Sequence, residues 1–129
     1  MAGPVRVLLV DDEEVFLQSI ARVLRKKGME TYTASDGASG LKLLREVQFD
    51  VIVLDVRMPG MDGLATLEEI RRRDPGMPVL LLSGHIQIDE VAQAVNGGAA
   101  EVLLKPCPIE DLVAAIENAW KQRASAPRP

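Results

Sequence analysis

Short apolar runs alternate with longer amphipathic segments along the chain, and this alternation is the feature that most restricts its fold. A run that is apolar at every position predicts a strand buried on both faces, which is typical of a parallel sheet. The second run alternates polar and apolar residues and therefore predicts an edge or half-exposed strand. The predicted strands are residues 5–10, 29–34, 51–54, 78–82 and 100–104.

Five segments with apolar residues at helical spacing follow these strands. Gly28 suits the C-terminal cap of the first helix, and Asp36 and Asp62 suit the N-caps of the second and third. Residues 74–76 (Asp-Pro-Gly) end the third helix, and residues 96–98 (Asn-Gly-Gly) end the fourth. The apolar stripes are Phe16, Ile20, Val23 and Leu24; Leu41 and Leu44; Leu64, Leu67 and Ile70; Ile88, Val91 and Val95; and Ile109, Leu112, Ala115, Ile116 and Ala119.

Right-handed crossovers between parallel strands restrict this order of elements to a doubly wound α/β sheet. The chain has 129 residues, of which 47% are apolar, and this size and composition suit one domain with a substantial core. We place that domain at residues 5–120. Residues 121–129 are polar and contain proline, so we expect a flexible tail or the start of a linker there.

Composition and charge exclude several classes of protein. The net charge is −4, and the only basic run, residues 71–73, is interpreted as the solvated end of a helix, so we expect no direct contact with nucleic acid. The single cysteine, Cys107, excludes an internal disulfide and favours a reducing compartment. No apolar stretch approaches the roughly 20 residues of a membrane span, and the first residues lack the apolar h-region expected of a signal peptide. We therefore expect a cytoplasmic protein without membrane contacts.

Polar side chains follow four of the predicted strands, at the point where each strand ends. Asp11 and Asp12 follow the first run, Asp55 the third, Ser83 the fourth and Lys105 the fifth. In a doubly wound sheet, ligands bind beyond the carboxyl ends of the strands, near the point where the strand order reverses. We therefore expect these side chains to form one site.

Three carboxylates and one ammonium group would leave this site with a net negative charge. Two carboxylates about 4 Å apart repel each other by about 4 kcal/mol at an effective dielectric constant of about 20. The cluster must therefore keep a proton or bind a cation, and its oxygen ligands suit Mg²⁺. Zinc is disfavoured, because neither Cys107 nor His85 has a partner at metal-binding spacing. Such a site suits phosphoryl transfer, with Asp55 as the candidate nucleophile.

Taken together, four motifs resemble the receiver domains of bacterial two-component response regulators: VLLVDDEE (7–14), LDVRMPGMDG (54–63), LLLSGH (80–85) and GAAEVLLKP (98–106). The resemblance covers about residues 5–120 and implies the flavodoxin-like (βα)5 fold with strand order 2-1-3-4-5. It implies a signalling domain that is not an enzyme but assists its own phosphorylation and dephosphorylation. The phosphoryl group would come from a sensor histidine kinase or a phosphotransfer protein, and the output would be phosphorylation-dependent contact with a downstream protein.

The same resemblance implies which residues handle the phosphoryl group. Asp55 would be the phosphoacceptor, Ser83 would hydrogen-bond the phosphoryl group, and Lys105 would pair with it. The small residue Gly84 would leave the site open to donors. The peptide bond between Lys105 and Pro106 would be cis, which would place the lysine.

The resemblance also implies a Mg²⁺ site. Asp12, Asp55 and the backbone carbonyl of Arg57 would bind the ion directly. Asp11 would contribute to the same site through water. The cofactor expected from the sequence is therefore Mg²⁺, held entirely by oxygen atoms.

Two positions depart from the family pattern. The family usually has Tyr or Phe three residues before the lysine, where this chain has Val102, and an aromatic residue after Lys-Pro, where it has Cys107. We place both on the face formed by the fourth helix, fifth strand and fifth helix, through which a homodimer could form. A repacked edge and a modified output switch both remain open. Because Val102 has no ring to move, we expect the response to pass through residues 84–89.

Three alternatives differ in function. The chain could be the receiver part of a larger regulator with a DNA-binding or enzymatic output domain, since ASAPRP (124–129) resembles the start of a linker. An aspartyl-phosphate hydrolase of the haloacid dehalogenase type needs a second Asp two residues after the nucleophile, where this chain has Arg57. A flavodoxin needs hydroxyl groups and glycine in its first phosphate loop, where this chain has DDEE (11–14).

Overall fold

All five predicted strands are present and form one parallel sheet. The computed structural model describes residues 4–56, 63–84, 96, 98 and 101–125. The sheet has the order β2-β1-β3-β4-β5, which confirms the predicted doubly wound topology. The strands are β1 (Arg6–Val10), β2 (Glu30–Ala34), β3 (Val51–Asp55), β4 (Val79–Ser83) and β5 (Glu101–Leu104).

Helices follow the strands in the expected order. In the described part of the chain they are α1 (Glu14–Lys26), α2 (Gly37–Glu46), α3 (Gly63–Arg73) and α4 (Ile109–Ser125), the last called the C-terminal helix below. The predicted fourth helical segment, residues 88–95, and the predicted cap Asp62 lie outside the described residues. No helix of the described chain is long and apolar enough to cross a membrane.

The sheet separates two hydrophobic clusters, because successive residues of a strand face opposite sides. The first core cluster lies on the side of α1 and the C-terminal helix and includes Leu9, Val53 and Leu82 from the strands. The second core cluster lies on the side of α2 and α3 and includes Leu54 and Leu81. The central strands are therefore buried on both faces, as their continuous apolar runs predict.

The two edge strands differ from the central ones. β2 is only partly buried, in agreement with its alternating sequence. β5 is also an edge strand, and its end residues Glu101 and Leu104 are exposed, although the apolar run from 100 to 104 predicted a buried strand. The reason is topological, since β5 pairs with β4 alone among the described strands and lacks a neighbour on its other side.

Helix ends agree with several of the sequence signals. Gly28 follows α1 with a φ of +88°, in the left-handed region that favours glycine. The side chain of Asp36 accepts a hydrogen bond from the backbone N–H of Ser39 at 2.7 Å, and this bond lowers the pKa of the Asp36 carboxyl. The C-terminal helix continues to Ser125, past residue 121 where the sequence predicted a polar tail. Lys, Gln, Arg and Ala favour helix, which accounts for the extension.

The basic run at the end of α3 is not uniformly solvated. Arg72 is exposed, as predicted, and pairs with Glu69 at 2.9 Å. Arg71 is instead partly buried, and its guanidinium donates to the backbone carbonyl of Gly98 at 2.6 Å. Arg71 therefore connects the end of α3 to the segment before β5.

Gly63 allows α3 to begin directly against the end of β3. Its backbone N–H donates to the carbonyl of Val56 at 2.8 Å. A Cβ at this position would overlap the backbone carbonyl oxygen of Asp55 and lie 2.5 Å from the Cα of Val56. These are backbone atoms, so neither can move away without displacing the end of the strand.

We predict that Gly63→Ala destabilises the fold by about 1–3 kcal/mol, because the added methyl group would push β3 and α3 apart. Gly76→Ala is the matched control, since a Cβ there would lie in ordinary contact, 3.7 Å from Asp74 Oδ1. Its effect should stay within about 0.5 kcal/mol. Urea unfolding of both variants measures the difference, and equal stabilities would contradict the close approach at Gly63.

Candidate functional site

The two central strands β1 and β3 bring their terminal carboxylates together. They pair in parallel with Val10 opposite Leu54, so Asp11 and Asp55 are the next residues along neighbouring strands. β2 lies on the other side of β1, and the strand order reverses between β1 and β3. This is the position at which ligands bind in doubly wound sheets.

Asp11, Asp12 and Asp55 form the acidic cluster that the sequence predicts. One carboxylate oxygen from each lies within 4.8 Å of the others. Asp11 and Asp55 are 4% and 6% exposed, whereas Asp12 is exposed. Three oxygen donors at this spacing, one of them open to solvent, fit a hard divalent cation that keeps several of its waters, as Mg²⁺ does. The predicted fourth ligand, the carbonyl of Arg57, lies outside the described residues.

Lys105 reaches this cluster from the end of β5. Its side chain is 13% exposed, and its Nζ lies 2.7 Å from Asp11 Oδ2 and 3.8 Å from Asp55 Oδ2. The peptide bond between Lys105 and Pro106 is cis, as predicted. Four of the five strand-tip side chains expected from the sequence, all except Ser83, are therefore seen to share one end of the sheet.

Lys105 keeps its positive charge although it is largely buried. Burial alone would lower its pKa, but hydrogen bonds to Asp11 and Glu13 and the charge of Asp55 outweigh that effect and raise the pKa. The ammonium also lies 4.4 Å from the centre of the Phe16 ring, within the range of a cation–π interaction. The site therefore contains a fixed positive charge beside its carboxylates.

Glu13 and Phe16 also belong to this site, although neither was predicted from the sequence. Glu13 Oε1 accepts a hydrogen bond from Lys105 at 2.9 Å, and the Glu13 backbone N–H donates to Asp11 Oδ1, also at 2.9 Å. The available signal was the position of Glu13 in DDEE (11–14), directly after β1. Phe16 was assigned only to the apolar stripe of α1, and nothing in the sequence shows that its ring turns toward Lys105.

Ser83 is the last residue of β4 and pairs along the backbone with Leu104. This register places it beside the end of β3, where Asp55 is opposite Leu82. The Ser83 side chain and the whole of His85 lie outside the described part of the structure. Gly84 lies next to Lys105, with 3.8 Å between an added Cβ and the Cβ of the lysine.

Val102 and Cys107, the two departures from the family pattern, pack on different sides of the sheet. Val102 packs against the second core cluster and Cys107 against the first. The shared face expected from the sequence includes the predicted fourth helical segment, which lies outside the described residues, so that placement stays a prediction. Burial raises the pKa of the Cys107 thiol, and the charges of Asp111 and Glu101 add to the effect. A protonated, partly buried thiol is typical of a cysteine that packs as a small hydrophobic residue. Of the expected response segment, residues 84–89, only Gly84 lies within the described residues.

Comparison with known proteins agrees with this geometry. The family model of the response regulator receiver domain matches residues 7–117. The transcriptional regulatory protein PrrA of Mycobacterium bovis is 38% identical over 120 residues, which are 93% of this chain and 52% of PrrA. The DNA-binding transcriptional regulator NtrC of Escherichia coli is 38% identical over 113 residues, 88% of this chain and 24% of NtrC. The chain thus spans about half or less of these relatives.

Solved structures extend the likeness to the whole fold. A response regulator receiver domain from Clostridium thermocellum has a TM-score of 0.88 and 37% identity, covering 93% of this chain and 97% of its own. A CheY-like receiver domain from Methanospirillum hungatei has a TM-score of 0.92 and 26% identity, covering 95% and 98%. With the acidic cluster and Lys105 at the switch point of the sheet, the chain belongs to the response regulator receiver domains of two-component signalling.

Proposed function

We propose that Asp55 is the phosphoacceptor of this receiver domain, in a reaction that requires Mg²⁺. The main support for the proposal is the environment of the Asp55 carboxylate. It ends a buried strand, lies within 4.8 Å of the oxygens of Asp11 and Asp12, and lies 3.8 Å from the ammonium of Lys105. An ionised carboxylate beside fixed positive charge and metal ligands is suited to attack phosphorus.

The reaction transfers a phosphoryl group from a phosphohistidine to the carboxylate. An Asp55 oxygen attacks phosphorus in line, the P–N bond breaks, and the imidazole of the donor leaves with the bonding electron pair. Bound Mg²⁺ would supply positive charge to the phosphoryl oxygens. Asp11 and Asp12 would hold the ion together with Asp55 and the Arg57 carbonyl, Ser83 would hydrogen-bond a phosphoryl oxygen, and Lys105 would pair with another.

The proposed partners follow from this chemistry. A sensor histidine kinase or a phosphotransfer protein would donate the phosphoryl group, and a downstream protein would bind the phosphorylated form. A homodimer and a cytoplasmic location are part of the same proposal. The domain would not act as an enzyme on other substrates, although it assists its own phosphorylation and dephosphorylation.

A second candidate is that this receiver domain controls an output domain in the same polypeptide. The observation that favours it is the length of the relatives, since the chain spans 52% of PrrA and 24% of NtrC, two regulators of transcription. In that case the contact that changes on phosphorylation would be within one protein. The chemistry at Asp55 would be the same in both cases.

We predict that the protein, incubated with Mg²⁺ and acetyl phosphate, gains one phosphoryl group and that Asp55→Asn gains none. The amide has no ionised oxygen to attack phosphorus. Intact-mass measurement detects the group, and its lability to base distinguishes an acyl phosphate from a phosphoserine on Ser83. Asp74→Asn is the control, since Asp74 lies just beyond the end of α3 and pairs with Arg123 at 3.2 Å. Undiminished labelling of Asp55→Asn would contradict the assignment.

We predict that Asp12→Ala weakens Mg²⁺ binding by roughly tenfold, about 1.4 kcal/mol, because it removes a direct ligand and a negative charge together. Asp11→Ala should weaken affinity less if its contact passes through water. Calorimetric titration measures these affinities. Glu14→Ala removes one negative charge nearby without removing a ligand and is the matched control. If Asp12→Ala binds Mg²⁺ as the parent does, the assigned ligands are wrong.

A further inference from the structure

The ammonium of Lys105 is hydrogen-bonded to two carboxylates, and neither is the proposed phosphoacceptor. It lies 2.7 Å from Asp11 Oδ2 and 2.9 Å from Glu13 Oε1. The third carboxylate, Asp55, is 3.8 Å away, which is beyond hydrogen-bond range. The Phe16 ring is also in contact, at 4.4 Å. In this state Lys105 is therefore directed toward β1 and the start of α1.

A phosphoryl group on Asp55 would need Lys105 to turn toward it. A lysine ammonium has three N–H donors, of which Asp11 and Glu13 take two. One N–H donor remains for a phosphoryl oxygen, but Nζ lies 3.8 Å from Asp55 Oδ2 and is held closer to Asp11 and Glu13. Movement of Nζ toward a phosphoryl group on Asp55 therefore lengthens its contact with at least one of these partners.

The two partners differ in how readily they can release the lysine. Asp11 is buried, and its Oδ1 also accepts the backbone N–H of Glu13, so its carboxylate is held in place. The side chain of Glu13 is 63% exposed and can exchange its contact with Lys105 for water. Glu13 is therefore the partner that Lys105 can leave at the smaller cost.

We propose that Glu13 is a positioning residue that holds Lys105 away from Asp55. It thereby slows phosphorylation of Asp55 and weakens the contact between Lys105 and a phosphoryl group, or a phosphoryl mimic, at Asp55. The proposal rests on the proposed role of Asp55 as the phosphoacceptor and adds a residue that regulates this site. Each phosphorylation event exchanges the contact between Lys105 and Glu13 for one between Lys105 and the phosphoryl group. The residue at position 13, directly after Asp11 and Asp12, thereby determines how readily Lys105 can contact the phosphoryl group.

Glu13→Gln tests the proposal against Glu14→Gln, its matched control. Both changes remove one negative charge at neighbouring positions, but Glu14 accepts a hydrogen bond from Gln18 at 3.3 Å, whereas Glu13 contacts the lysine. With acetyl phosphate and Mg²⁺, we expect Glu13→Gln to be phosphorylated roughly two- to fivefold faster than Glu14→Gln, the range expected for losing one exposed ion pair. Its affinity for the phosphoryl mimic beryllofluoride should rise by a similar factor. Equal rates and affinities in the two variants would overturn the proposal.

A double-mutant cycle separates an effect through the lysine from a general effect of charge. If Glu13 acts by holding Lys105, then Glu13→Gln should change beryllofluoride affinity in the parent but leave it unchanged in a Lys105→Ala background. A change of the same size in both backgrounds would overturn the proposal, because it would show direct repulsion between Glu13 and the ligand.

A measurement without any phosphoryl group keeps the inference separate from the proposed function. The ¹⁵N signal of the Lys105 ammonium, assigned by its loss in Lys105→Ala, should shift in Glu13→Gln and stay unchanged in Glu14→Gln. An unchanged signal in Glu13→Gln would overturn the inference even if Asp55 is labelled normally. Failure of the parent to be labelled on Asp55, with the lysine signal shifted as expected, would instead refute the proposed phosphoacceptor.

Discussion

The site depends on one constraint, which is that the negative charges of the carboxylates at the ends of β1 and β3 must be compensated by positive charge. Asp11 and Asp55 are nearly buried on adjacent central strands, and like charges held so close repel each other unless a cation intervenes. Lys105 provides part of this compensation, 2.7 Å from Asp11 and 3.8 Å from Asp55. One ammonium does not neutralise three aspartates and Glu13, so the cluster still favours a divalent cation. The packing of β1 against β3 thus brings the carboxylates together, and the resulting negative charge is what favours binding of a metal ion.

The fold contributes to this charge balance by fixing the backbone at the strand ends that carry Asp11 and Asp55. It adds no further charge there. Two hydrophobic clusters hold the central strands from both faces, so the strand ends have little freedom. The Asp11 backbone N–H donates to the carbonyl of Ala34 in β2 at 3.1 Å, and Gly63 starts α3 against the backbone of Asp55. Neighbouring strands and helices thus position both buried carboxylates. Among the described acidic residues of the site, Asp12 and Glu13 are exposed to water, whereas Asp11 and Asp55 are buried.

The doubly wound parallel sheet and the acidic cluster were predictable from the pattern of apolar runs and the polar residues that follow them, whereas the strand order 2-1-3-4-5 was implied by the resemblance to receiver domains. Continuous apolar runs predict a parallel sheet, and parallel strands bring Asp11, Asp12 and Asp55, which stand where the first and third runs end, to the same edge. The contacts of Glu13 and Phe16 with Lys105 were not predictable, since they depend on how α1 leaves β1 and on side-chain rotamers. The side of the sheet on which Val102 and Cys107 each pack was not predictable, because β5 ends between them at Leu104 and the strand alternation does not extend to Cys107.

Paramagnetic broadening by Mn²⁺ tests most directly whether the strand ends form one metal site, since Mn²⁺ prefers the same oxygen ligands as Mg²⁺. A backbone amide spectrum is recorded while Mn²⁺ is added at low ratios to the protein. The account predicts that the amides of Asp11, Asp12 and Asp55 broaden first and that excess Mg²⁺ restores them. Broadening that begins instead at the acidic pair Glu68 and Glu69 of α3, or that Mg²⁺ does not reverse, would contradict a single metal site at the ends of β1 and β3.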